Sequence, residues 1–149
     1  MAKKDLFRDT PKHPTQYLKM SLPLPPSINS SHINTNRGGR KLTYKAKNYI
    51  RDARAKAHLE VEEQGWKIAK DSTWYYIDLV FFMPDRRIRD SHNMLKLLLD
   101  VLQGILYEND YYVLPRIQSV ELDKIHPRVE FSIHAQTSES REKSLGKIR

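Results

Sequence analysis

The sequence predicts an α+β fold, a single domain with a mixed β-sheet and two main helices in the order strand, long loop, helix, strand, helix, strand, strand. Three patterns carry that expectation. Met94, Leu97, Leu98, Val101, Leu102 and Ile105 recur at steps of three and four, which is the buried stripe of an amphipathic helix. Tyr75, Ile77, Leu79, Phe81 and Met83 alternate through a stretch rich in aromatic and β-branched residues, one apolar face of an interior strand. Val129, Phe131 and Ile133 alternate with polar residues in a final strand. At 149 residues the chain suffices for one core but is too short for two ordinary domains.

Residues 1–16 mix charge with Pro11 and Pro14 without periodicity and read as a flexible N-terminal tail, so the domain is expected over 17–135. Tyr17 to Leu22 is a short strand stopped by Pro23, Pro25 and Pro26, because proline cannot donate to a sheet ladder. Residues 27–42 read as a polar loop in which Gly38 and Gly39 free the backbone. Thr43 is a suitable helix N-cap, and Tyr44, Tyr49, Ile50, Ala53, Ala57 and Val61 follow at helical spacing up to Gly65. The interior strand spans Trp74 to Met83. On the next helix, Asn93, Lys96, Asp100 and Gln103 lie opposite the apolar stripe. Tyr107-Glu-Asn-Asp-Tyr-Tyr112 is an acidic, aromatic connection, a further strand is expected after Pro115 over 116–123, and residues 136–149 form a flexible C-terminal tail. No internal repeat is present.

Hydrophobic residues make up 39% of the chain, enough for a folded protein. No run approaches the roughly 18 apolar residues of a membrane span, and the first residues lack the apolar centre of a signal peptide, so a cytoplasmic protein without a membrane partner is expected. With no cysteine, disulfides, thiolate catalysis and cysteine-ligated zinc are excluded, and any metal site must use oxygen and imidazole. The net charge of +8 suits a polyanionic partner. Arg37, Arg40, Lys41, Lys45, Lys47, Arg51, Arg54 and Lys56 face only Asp52, a local charge of +7. Tyr44 and Tyr49 within that run either stack on unpaired bases or pack into the core. A solvated helix face would also account for the charge.

The chemistry concentrates in Met83-Pro-Asp-Arg-Arg-Ile-Arg-Asp-Ser-His-Asn-Met-Leu-Lys96, where an apolar strand gives way to a helix. Asp90, His92 and Asn93 are expected in the first helical turn, with Lys96 one to two turns on near the same polar face. A metal and a phosphate could then be held side by side. Carboxylates suit magnesium or manganese, which activate water and neutralise charge on a phosphoryl group. Arg86, Arg87 and Arg89 can grip neighbouring phosphates through paired hydrogen bonds, and Asp85 is expected to pair with an adjacent arginine. Taken singly, Asp90 could be a helix cap and Lys96 a solvated helix residue.

In order along the chain stand Leu22-Pro-Leu-Pro-Pro-Ser-Ile-Asn, Met83-Pro-Asp-Arg-Arg-Ile-Arg-Asp, Asn93 and Lys96, Leu99-Asp-Val-Leu-Gln-Gly, and Tyr107-Glu-Asn-Asp followed by Val113. Together these make the chain resemble the RusA family of Holliday junction resolvases over most of residues 18–134. The resemblance implies a RusA-like fold and a homodimeric, magnesium-dependent endodeoxyribonuclease that cuts branched DNA, the four-way junction, by paired nicks in recombination and repair. It aligns Asp90 and Asp110 with metal-binding aspartates and Lys96 with the catalytic lysine that stabilises charge at the phosphorus. Glu108 is the alternative distal ligand. The family's Asp-x-Asp-Asn reads Asp90-Ser-His-Asn here, so His92 takes a ligand position as imidazole, which is neutral when it ligates and widens the choice of ion, and manganese is expected to serve at least as well as magnesium. Arg37, Arg40, Lys41 and Lys45, with Arg86, Arg87 and Arg89, would hold the DNA arms. The rival is a junction-binding protein that does not cut, its metal site degenerate at His92. A restriction-type nuclease is disfavoured because Glu121-Leu-Asp-Lys124 has no acidic residue two before the lysine. No short-turn helix pair suggests a transcription factor.

Overall fold

Pro23, Pro25 and Pro26 do end the first strand, β1 (Tyr17–Leu22), whose Leu18, Met20 and Leu22 are buried. The computed structural model describes residues 16–26, 32–34, 38–69 and 73–136. The expected tails lie outside the described residues, apart from Gln16 and Gln136. Gln16 exchanges two hydrogen bonds with the Lys67 backbone, at 2.8 and 2.9 Å, and the Gln136 amide N–H donates to the Trp74 carbonyl at 2.7 Å.

Further along come β2 (His32–Asn34), β3 (Arg40–Leu42), α1 (Tyr44–Gln64), β4 (Tyr75–Met83), α2 (Ser91–Leu102), a short 3₁₀ turn (Asp110–Tyr112), β5 (Val113–Leu122) and β6 (Arg128–Ala135). The main sheet runs β1-β6-β4-β5, with β6 antiparallel to both β1 and β4 and β5 parallel to β4. The chain thus adopts the α+β fold read from the sequence, with two helices and a mixed four-stranded sheet among the described residues. The odd-numbered residues of β4, Tyr75 to Met83, meet Leu18, Val129, Phe131 and Ile133 from neighbouring strands and Met94, Leu98, Val101 and Leu102 from α2 in one core. Its other face carries a buried carboxylate, Asp78, gripped by Arg116 at 2.6 and 2.9 Å and by Gln118 at 2.9 Å. Among the described residues no helix is long and apolar enough to cross a membrane.

Five local readings are corrected. The polar loop over 27–42 contains a hairpin, β2 paired antiparallel with β3; its polarity hides it, because a ribbon outside the core needs no apolar face. The strand after the aromatic connection starts at Val113 and so includes Pro115, which is tolerated because β5 is the sheet edge. Tyr44 is 83% exposed instead of lying on the buried stripe of α1, and Ala46 takes the buried position in that turn. Ile105 is buried but lies beyond α2: Gly104 adopts a positive φ of 85°, and the Ile105 and Leu106 N–H groups both return to the Leu102 carbonyl. Asp90 stands before the first turn of α2, as its N-cap.

Candidate active site

β4 ends at Met83, and Pro84 releases the chain into a loop that Asp85 organises. The Asp85 carboxylate accepts from the Arg87 backbone N–H at 2.9 Å and from both terminal nitrogens of Arg89, at 2.5 and 3.1 Å. The Arg89 hydrogen bonds, then the Arg87 N–H, hold its carboxyl down to about 2. Asp85 thus pairs with an arginine of its own loop, as the sequence suggested. Arg89 is tied by this pairing, while Arg86 and Arg87 remain exposed.

Asp90 follows. One carboxylate oxygen accepts from the backbone N–H of His92 at 2.9 Å and of Asn93 at 3.4 Å, and the other from the Asn93 side-chain amide at 3.1 Å. His92 Nδ1 lies 3.6 Å from Asp90, and its ring is 84% exposed. Asp90 and Asn93 open onto a cleft of about 570 Å³. Its apolar wall is Leu24, Pro25, Pro26, Pro84, Ile88 and Met94, and its polar lining adds Lys45 and Arg89. Leu24, Pro25 and Pro26 of the Leu-Pro-Leu-Pro-Pro motif therefore form part of the cleft wall, and Lys45, from the first turn of α1, lines the same cleft as Asp90.

The remaining candidates lie farther down α2. Lys96 is exposed, and its charge acts on Asp100 one turn later. The Asp110 carboxyl lies within hydrogen-bonding reach of Asp100. Burial, then the Asp110 charge, push the Asp100 carboxyl up, and Lys96 opposes them. Burial and the same two carboxylates push up the Tyr107 hydroxyl, which donates to the Leu99 carbonyl at 2.6 Å. Glu108 is exposed.

The structure therefore brings Asp90 together with His92 and Asn93, and Asp110 together with Asp100. It does not join Asp90, His92 and Asp110 into one group: among the described residues no three His, Asp or Glu side chains stand close enough to hold a metal ion. Ten residues of helical rise separate Asp90 from Asp100 by about 15 Å along α2.

Of the predicted DNA contacts, Lys41 and Lys45 are exposed, Arg37 lies outside the described residues, and Arg40 is placed as backbone in β3 opposite Asn34. The tyrosines divide: Tyr49 is packed against the core with its hydroxyl donating to the Pro23 carbonyl at 2.8 Å, and Tyr44 faces solvent. Arg51 pairs with Asp52 at 3.0 Å. Arg54 turns inward and donates to the Val101 and Gln103 carbonyls at 2.8 and 3.1 Å. Sequence reasoning missed this use of Arg54 and the bond from the Asp110 N–H to the Gln103 side chain at 3.1 Å. One signal was available: α2 has no basic residue in its last turn, so its carbonyls call for an outside donor.

A family model described as Endodeoxyribonuclease RusA matches residues 23–134, well over half of the chain. No curated protein matches it.

Proposed function

The chain belongs to the RusA family of endodeoxyribonucleases, and we propose that it resolves four-way DNA junctions by paired, divalent-metal-dependent nicks in recombination and repair, working as a homodimer. One observation carries the reading: Asp90, Asn93 and Lys45 line a single cleft beside the Arg-rich loop. A phosphodiester in that cleft would meet a cation on the α1 side and a carboxylate on the α2 side.

As placed, the donors do not close on one divalent ion, because among the described residues no three His, Asp or Glu side chains group together. Asp90 offers a half-exposed carboxylate, His92 an exposed imidazole, and Asp110 a carboxylate whose closeness to Asp100 favours a neutralising cation. By the family resemblance Asp90 and His92, at the start of α2, and Asp110, beside Asp100 near its end, would be the ligands, and magnesium or manganese would supply an activated water and charge neutralisation at the phosphorus. The protein's own part is positional and electrostatic. Asn93 fixes one oxygen of Asp90 while the helix N–H groups fix the other. Lys96 stabilises the extra negative charge of the transition state. Arg86, Arg87, Lys41 and Lys45 hold flanking phosphates, contacts that carry no base sequence. Arg89 contributes by fixing the loop through Asp85 as well as by its charge. The approximate two-fold symmetry of a four-way junction matches a homodimer with two such sites. A cytoplasmic location follows in this reading from the DNA substrate.

The division of the ligand set along α2, with His92 at a position where the family has aspartate, favours a second reading, a junction binder that does not cut. Incubating a labelled synthetic four-way junction and a linear duplex of the same arm sequence with magnesium, manganese or chelator separates the two. Symmetric nicks on the junction alone, dependent on metal, support the resolvase. Tight junction binding without cleavage in either ion supports the binder.

A further inference from the structure

Apolar side chains scattered singly over a surface need no explanation, but a group of them does. Among the described residues the exposed large aliphatic side chains are Leu59, Ile88, Val120, Leu122 and Ile125, and all but Leu59 lie at one end of the sheet, where β4 runs out and β5 turns into β6. Met83 and Leu122 are partners across the two strands, and the Asp123 N–H donates to the Met83 carbonyl at 2.8 Å, so the arginine loop after β4 and the turn after β5 stand side by side. Val120 and Leu122 line a groove of about 250 Å³ with Met83 and the arginines of the loop. Both projections are stiffened in the same way. Asp85 accepts from the Arg87 N–H and pairs with Arg89. Asp123 accepts from the Ile125 and His126 N–H groups at 3.1 and 3.0 Å and pairs with Arg128 at 2.8 Å. Each loop thereby holds an isoleucine out in water, Ile88 fully exposed and Ile125 80% exposed.

The charges around these tips indicate what they meet. Arg86, Arg87 and Lys124 are exposed, whereas Asp85 and Asp123 are taken up by arginines of their own loops, and the exposed Glu121 accepts from the Ser119 hydroxyl. Apolar tips ringed by cations fit stacked bases flanked by phosphates. We propose that Ile88 and Ile125 are a pair of apolar wedges that enter the branch point of the DNA and hold its base pairs apart, while Arg86, Arg87 and Lys124 grip the phosphates beside them. The inference rests on the reading of the chain as a junction-binding protein, and it adds the β5–β6 turn to the DNA surface. Pairs at a branch point are stacked less securely than pairs within a duplex, so inserting an aliphatic side chain there costs less. A mobile tip would lose conformational entropy on insertion, and these two are already fixed. Ile88 stands two residues before Asp90 and lines the same cleft, so a strand freed by the wedge lies beside that carboxylate.

The test uses the full chain and two synthetic four-way junctions, one carrying 2-aminopurine in a pair at the branch point and one carrying it in mid-arm, in chelator so that nothing is cut. The fluorescence of this base rises when its stacking is lost. Saturating wild-type protein should raise the branch-point signal and leave the mid-arm signal unchanged. Ile88→Ser and Ile125→Ser should each lower the rise, and the double serine variant should abolish it while keeping a wild-type unfolding midpoint, because both side chains lie in water. Lys124→Ala should weaken junction affinity and reduce the dependence of log affinity on log salt by about one unit. If the wild type opens the branch point and the double variant opens it equally, the wedges are wrong and the junction reading stands. If the wild type binds the junction no better than a linear duplex of the same arm sequence, the junction reading fails and the proposal falls with it. Serine variants that change the sedimentation of the DNA-free protein and leave the branch-point signal at the wild-type level make the patch a contact between protein copies, which also overturns the proposal.

Discussion

Asp90 has two roles that substitution can separate. As N-cap it accepts the first free N–H groups of α2, an interaction worth about 1 kcal/mol, and asparagine caps a helix about as well as aspartate. Asp90→Asn should therefore leave the unfolding midpoint close to wild type while removing the charge a cation needs, and Asp90→Ala should cost about 1 kcal/mol in denaturant unfolding. Asp85 offers a second test. Its folded carboxyl is held down to about 2, below the unfolded value of about 3.9, so the pairing with Arg89 contributes above that unfolded value and is lost as pH falls through about 2. Carbon-detected titration of Asp85 should give a midpoint near 2 that moves up toward the ordinary value in Arg89→Gln. At His92, the expected manganese preference predicts that His92→Asp lowers the ratio of manganese- to magnesium-supported cleavage; an unchanged ratio removes the reason for that expectation. Asp90 and Lys96 were legible in the sequence because they flank the switch from strand to helix periodicity. Arg54 was not, since a cation in a basic run looks the same whether it meets water or another helix's carbonyls.

At the scale of elements, α2 joins the core to the candidate site. Leu98 is fully buried on its apolar stripe, and Leu98→Ala should cost about 2–5 kcal/mol, read from denaturant unfolding. On the other face of the sheet His134 is buried with its Nδ1 unpaired among the described residues, and burial first, then Arg116, push its pKa down against the pull of Asp78. The unfolded chain then binds a proton at this residue before the folded chain does. Stability should fall as pH drops below about 6.5, and His134→Leu should flatten that fall relative to wild type. Strands and helices with a buried face announced themselves by period, which is why β1, β4, β6, α1 and α2 were read close to their observed bounds. The β2–β3 hairpin has no apolar period to read, and β5 was cut short because an edge strand tolerates the Pro115 that an interior strand would refuse.

Over the whole molecule, the cleft arises where the first turns of α1 and α2 meet across the proline-rich segment after β1. No sequence period reports that meeting, because it depends on how the helices pack on one sheet, so that Lys45 and Asp90 line one cleft became visible only in three dimensions. The charge of +8 and the exposed Lys41, Lys45 and Lys47 predict junction binding dominated by phosphate contacts. Lys45→Ala should weaken junction affinity and reduce the dependence of log affinity on log salt by about one unit, in titrations across a range of salt concentrations. The central claim is that the Asp90 cleft is where DNA is cut, and it is tested most directly by comparing wild type with Asp90→Asn on one labelled four-way junction, measuring binding in chelator and cleavage in magnesium and manganese. The account predicts equal binding and cleavage confined to wild type; cleavage by Asp90→Asn at the wild-type rate would contradict it.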